Sequence, residues 1–103
     1  KYVPQIAGYY RVTHYVEYNP GGSAPYRCLS VLYKNGSLYG STISAQNNSS
    51  AGLPQGILYS DIVYLNGSTD YLEIYVYQAS GGSVNISPSN NYCMFTGFLA
   101  RGA

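Results

Sequence analysis

Apolar and polar residues alternate with a period of two along much of this chain. In GYYRVTHYVEY, Tyr10, Val12, His14, Val16 and Tyr18 share one parity, while Arg11, Thr13 and Glu17 share the other with Tyr9 and Tyr15. A period of two places alternate side chains on opposite faces of a strand. YRCLSVLY follows as a second strand, with Leu29, Val31 and Tyr33 on one face. Asn35-Gly36 then marks a tight hairpin of positive φ, and LYGSTISA returns as a third strand. QNNSSAGLPQG reads as a polar loop. ILYSDIVYL is apolar almost throughout, broken only at Ser60-Asp61, and such a run suggests a strand buried on both faces. After the turn NGSTD, YLEIYVYQ sets Leu72, Ile74 and Val76 against Tyr71, Glu73, Tyr75 and Tyr77. ASGGSVNISPSNN is a long Gly/Ser/Asn loop, and YCMFTGFLA closes the series. No segment carries a capped helical repeat. Six strands without helices predict an all-β antiparallel sandwich or jelly roll.

The closing stretch is unusual. Chain ends are ordinarily polar and loosely held, yet Cys93, Met94, Phe95, Phe98 and Leu99 run almost to the last residue. This predicts a final strand buried at the centre of something.

At 103 residues the chain is read as a single domain, residues 1–103, and its start at Lys1 as the C-terminal piece of a longer polypeptide. Charged residues make up 9% of it and the net charge is +1, which leaves no basic stripe for a nucleic-acid backbone. No run of 18 apolar residues occurs, so no membrane insertion is expected. Tyrosine dominates the aromatics, with 14 Tyr, 2 Phe and no Trp. Tyr presents a large ring with a polar tip, and with Ser, Gly and Asn it is the usual material of binding surfaces. Tyr71, Tyr75 and Tyr77, with loop residues Asn47, Asn48, Asn85, Asn90 and Asn91, form the candidate binding set. A neutral aromatic surface rich in amides suits sugars.

Catalytic chemistry finds little material. His14 is the sole histidine, read as a member of the inward row of its strand. The acids are Glu17, Asp61, Asp70 and Glu73; Asp70 and Glu73, three apart on one strand, point to opposite faces. Zinc requires Cys/His clusters that are absent here, and only Asp61 and Asp70 offer anchors for calcium. No enzyme activity, cofactor or metal is expected. Asn35, Asn47, Asn48, Asn66 and Asn85 each head an Asn-x-Ser sequon.

Five pieces resemble a known family in order and spacing. They are Pro4 with Gly8-Tyr9-Tyr10, LYKNGS, SDIVYL, LEIYVYQASGG and FTGFLA. Together they resemble the C1q/tumour-necrosis-factor jelly roll, of the kind found at the C-terminal tips of phage tail fibres. Ser60 stands where the family has glycine, and almost nothing precedes Pro4 where the family has further strands. The resemblance implies a homotrimer with the last strand beside the three-fold axis. Tyr10, Val12, Val63, Leu65, Phe95, Gly97, Phe98 and Leu99 would then supply core and trimer interface, with Gly97 allowing close backbone approach. It implies Cys28 and Cys93 on different sheets, unbridged and mostly buried, and Asp61 capping backbone amides. The implied function is attachment of a virion's tail-fibre tip to a bacterial surface receptor, a polysaccharide in this reading. The alternatives are a purely structural trimerisation cap and a secreted animal C1q-like domain that binds proteins.

Overall fold

The computed structural model describes residues 1–20, 26–48, 55–79, 84–86 and 93–103. These residues form seven strands: β1 (Gly8–Pro20), β2 (Tyr26–Lys34), β3 (Ser37–Asn48), β4 (Gln55–Leu65), β5 (Leu72–Ala79), β6 (Val84–Ile86) and β7 (Cys93–Gly102). They build two antiparallel sheets facing each other. In the first, β1 pairs with β4 along one edge and with β7 and then β6 along the other. The second has the order β3-β2-β5. The chain passes from one sheet to the other between β1 and β2, β3 and β4, β4 and β5, and β5 and β6.

The alternation in β1 orients the first sheet as expected. Tyr10, Val12, His14, Val16 and Tyr18 are all buried between the sheets. Tyr10 and Val12 pack with Leu32, Tyr59, Val63, Leu65 and Leu72 at one end, and Val16 and Tyr18 with Cys28 and Ile57 at the other. The Tyr18 hydroxyl crosses the gap and donates to Leu29 O at 2.6 Å and Tyr77 O at 3.2 Å. Its burial pushes the phenol pKa up to about 12, so it stays a donor.

The second sheet decides which row of β2 faces inward. The inward row of β2 is Cys28, Ser30 and Leu32, each fully buried, whereas Leu29, Val31 and Tyr33 lie on the outer side. The reason is a buried polar pair: Ser30 Oγ sits 2.8 Å from His14 Nε2, so a serine occupies the inner face at little cost.

The Asn35-Gly36 hairpin forms as expected, with φ of 53° and 79°. Asn35 Nδ2 donates to Asp70 Oδ1 at 2.8 Å, and Asn35 Oδ1 accepts from Tyr71 N–H at 3.0 Å. Asp70 also accepts from Asn66 N–H and pairs with Lys34 Nζ at 3.2 Å. One turn is thus tied to the next, and these donors hold the Asp70 carboxyl below the usual carboxylate range, the Asn35 amide contributing most.

Four further expectations shift. The loop over 46–56 is shorter, because β3 runs to Asn48 and β4 starts at Gln55. The loop over 79–91 contains the short β6. β4 is buried on one face only: Ile57, Tyr59, Val63 and Leu65 are buried, while Leu58, Ile62 and Tyr64 are exposed. The last strand is likewise covered on one side. Phe95 packs against the core, but Phe98, on the other face, is 61% exposed.

Candidate functional site

The described residues present two outward sheet faces. On the first sheet, the register sets Tyr15 between Leu58 and Met94, and Arg11 between Ile62 and Phe98. Leu58 and Phe98 are each 61% exposed, and Ile62 and Met94 about half. At one end the Tyr9 and Tyr64 rings meet edge to face at 5.4 Å, with the Arg101 guanidinium 4.6 Å above Tyr9. This is an apolar surface with few charges, of the composition that interface cores favour.

The eight residues assigned to core and trimer interface divide between two environments. Tyr10, Val12, Val63 and Leu65 are interior residues of the single chain. Gly97 also faces inward: a Cβ there would lie 3.1 Å from the Tyr2 ring. Leu99 shares the inward row with Phe95 and Gly97, opposite Tyr10; one extra residue, Ala100, then bulges before Arg101 meets Tyr9. Phe98 alone of the eight stands on the open outer face. Its companions there, Leu58, Ile62, Tyr64 and Met94, were not singled out from sequence. For Leu58, Ile62 and Tyr64 the signal was the nearly continuous apolar run of β4, which marks both of its faces as fit for burial.

The second outward face carries the tyrosines. Tyr33 and Tyr75 lie with ring centroids 4.4 Å apart, and Tyr75 and Tyr77 are exposed. Tyr71, just before β5, sits beneath Lys1 Nζ at 4.2 Å. Across β2, Arg27 pairs with Asn47 on one side and Ala79 on the other, and Asn48 pairs with Tyr26. Asn47 and Asn48 therefore belong to the same sheet as the tyrosines, at its Tyr77 end. Asn85 does not: it pairs with Asn19 in the opposite sheet. Asn90 and Asn91 lie outside the described residues.

The remaining chemistry-bearing groups are structural. His14 is buried against Ser30 and stacked on Tyr59 at 5.1 Å, and burial lowers its pKa to about 4. It is a neutral interior imidazole, away from any carboxylate within hydrogen-bonding range among the contacts described. Asp61 accepts from the Tyr59 hydroxyl and from Ile62 N–H, each at 2.7 Å, in keeping with an amide-capping role. No disulfide links Cys28 and Cys93; Cys28 is buried, with its thiol pKa pushed up by burial, and Cys93 packs against the same cluster half-buried. Among the described residues, no three His, Cys, Asp or Glu side chains converge as a metal would need.

No family model, curated protein or solved structure matches this chain. Its functional reading therefore rests on the two outward faces.

Proposed function

We propose that this chain is a homotrimeric jelly-roll attachment tip of the C1q/tumour-necrosis-factor type, at the end of a phage tail fibre, which binds a bacterial surface polysaccharide without cleaving it. The observation that carries the reading is the pairing of two unlike outward faces on one small sandwich. The β4-β1-β7 face is apolar, with Leu58, Ile62 and Phe98 open to water. Burying side chains of this size stabilises by roughly 1.5–3 kcal/mol each when complete, and three copies sharing an axis would supply that cover.

The β5 face is aromatic but hydroxyl-bearing, and in such an assembly it would stay outside. Tyr75 and Tyr77 offer ring faces for the apolar side of a sugar, and their hydroxyls offer hydrogen bonds; Asn47 and Asn48 lie on the same sheet, at its Tyr77 end. Three rigidly held copies would convert weak single sites into firm attachment. The repeated passage of the chain between sheets supports the jelly-roll assignment.

The test joins light scattering to a glycan array probed with the assembled protein. A trimer that binds a restricted set of polysaccharides, unaltered after incubation, is expected. A trimer that binds no glycan would leave the structural cap, and a folded monomer at micromolar concentration would overturn the reading.

A further inference from the structure

Two Asn-Gly pairs occur in the sequence, Asn35-Gly36 and Asn66-Gly67, and the fold brings both to one carboxylate. Asp70 accepts from Asn35 Nδ2 at 2.8 Å and from Asn66 N–H at 3.0 Å. Asn-Gly is the pairing in which an asparagine side chain reacts most readily with its own backbone. The glycine nitrogen attacks the asparagine side-chain carbonyl carbon, and with no Cβ on the glycine the approach is unhindered. Attack needs those two atoms nearly in contact, so bonds that hold the side chain elsewhere slow it.

The two sites are held unequally. Asn66 Oδ1 accepts from Ser68 N–H at 3.0 Å and from Thr69 and Asp70 N–H at 2.9 Å, while Asn66 Nδ2 donates to Thr69 Oγ1 at 2.7 Å. Gly67 is packed against the backbone of Ile6 and Ala7, with which a Cβ would collide. Asn35 has only the bond to Asp70 and one from Tyr71 N–H at 3.0 Å. Asn35 and Gly36 are both exposed. A Cβ on Gly36 would meet nothing but the Tyr71 hydroxyl, at 3.5 Å, and among the described residues nothing accepts from Gly36 N–H. The Asn35 side chain has fewer bonds to give up and more room to turn.

We propose that Asn35 is a deamidation site, and that its conversion unties the β2-β3 hairpin from the turn leading into β5. Gly36 N bonds to Asn35 Cγ, the Cγ–Nδ2 bond breaks, and ammonia leaves with the Gly36 amide proton. Water then opens the resulting cyclic imide at either carbonyl, leaving aspartate or isoaspartate at position 35. Aspartate puts a carboxylate oxygen where an N–H donor met Asp70, and like charges in contact repel. Lys34 cannot serve both acids freely, since its Nζ already lies 3.2 Å from Asp70 Oδ2 and donates to Tyr64 O at 2.8 Å. Isoaspartate instead lengthens the main chain inside a turn built on φ values of 53° and 79°. Either product loses the bond to Asp70, and with it the alignment that lets Asn35 N–H donate to Tyr71 O and Tyr71 N–H to the Asn35 side chain.

The test ages the 103-residue chain at mildly alkaline pH, folded and in concentrated urea, and reads conversion at each asparagine by peptide mass. In urea the two Asn-Gly-Ser sites are expected to convert at similar rates. In the folded chain Asn35 is expected to convert tenfold or more faster than Asn66, because more hydrogen bonds must break at Asn66. Asn35→Asp gives the aspartate product without ageing. In that variant amide hydrogen exchange at position 35 and at Tyr71 is expected to quicken tenfold or more, while the amides of Val12 and Val63 in the core keep their protection. Folded-state conversion of Asn66 as fast as that of Asn35, or none at Asn35 over a period that converts it in urea, overturns the assignment of the site. Unchanged exchange at position 35 and Tyr71 in Asn35→Asp overturns the uncoupling.

Discussion

His14 Nε2 lies 2.8 Å from Ser30 Oγ in the space between the two sheets, and the imidazole stacks on Tyr59. This pair joins β1 to β2 across the sandwich with a hydrogen bond, as the Tyr18 hydroxyl does further along β1. Its geometry requires a neutral ring, since a buried imidazolium would have no anion beside it.

A pH dependence follows from that burial. The folded pKa of His14 is lowered from 6.5 to about 4, so the unfolded chain takes up a proton at higher pH than the folded one. The stability conferred by the neutral ring is fully present above pH 6.5 and is lost as pH falls towards 4. A shift of this size corresponds to about 3 kcal/mol at most. The depressed Asp70 carboxyl acts in the same sense, but its contribution is lost below the ordinary carboxylate range, so the interval from pH 6.5 to 4.5 belongs mainly to His14. Urea unfolding across this interval should show a falling midpoint in the native protein. In His14→Gln, which keeps a donor near Ser30 but cannot titrate, the midpoint should hold nearly constant.

The tie between Asn35 and Asp70 predicts a different pattern at the hairpin. Asn35 holds φ at 53°, donates to a charged carboxylate and accepts from Tyr71 N–H. Asn35→Ala should destabilise by about 2–3 kcal/mol, since it loses a charge-assisted hydrogen bond and leaves in the left-handed region a side chain without the local hydrogen bonds by which Asn tolerates it. Asn35→Gly removes the same side-chain bonds but not the backbone fit, and should cost about 1 kcal/mol less. If both substitutions gave equal midpoints in thermal unfolding, the side-chain bonds alone would account for the residue.

These two sites show why some of the fold was legible in the sequence and some was not. The β1 alternation and the Asn35-Gly36 turn are local signals, and both appear where expected. Alternation in β2 separates Leu29, Val31 and Tyr33 from Cys28, Ser30 and Leu32 but does not say which row faces inward. What turns Cys28, Ser30 and Leu32 inward is a partner sixteen residues away, His14, and no local pattern shows that. The edge position of β7 was hidden for a related reason. An apolar strand looks alike whether its second face is covered by its own chain or lies open, as at Phe98. On the tyrosine face, alternation was enough to place Tyr75 and Tyr77 together. The assignment of Asn85 to the opposite sheet depended on a pairing with Asn19 that loop composition does not encode.

The tyrosine pair offers a direct handle on ligand binding. Tyr75 packs at 4.4 Å against Tyr33 yet remains exposed, and Tyr77 is exposed beside it. Tyr77→Ala should leave the melting temperature within a degree or two, since an exposed ring on a sheet surface contributes little to the core. In the proposed trimer it should weaken polysaccharide binding tenfold or more, because three copies of each site would be altered together. Tyr75→Phe separates stacking from hydrogen bonding: retained affinity would assign Tyr75 to stacking, and a loss like that of Tyr77→Ala would assign it to its hydroxyl. Unchanged binding in both Tyr77→Ala and Tyr75→Ala would remove the β5 face from the receptor site.

The opposite face predicts how assembly can be broken without breaking the fold. Leu58, Ile62 and Phe98 lie on the outer side of the first sheet, with Arg11 between Ile62 and Phe98. A lysine at position 62 would stand next to Arg11 with no acid among its register neighbours, and burying an unpaired charge costs several kcal/mol. In a lone chain the same lysine would simply point into water, where surface changes alter stability by about half a kcal/mol. Ile62→Lys and Phe98→Lys should therefore yield folded monomers by light scattering, with strand content unchanged by circular dichroism. The melting temperature of the native protein should rise with concentration, as expected when association stabilises the folded state, and that of the variants should not. A variant that stayed trimeric with both lysines in place would show that the copies meet through some other surface, since no trimer could bury this face while tolerating the two added charges.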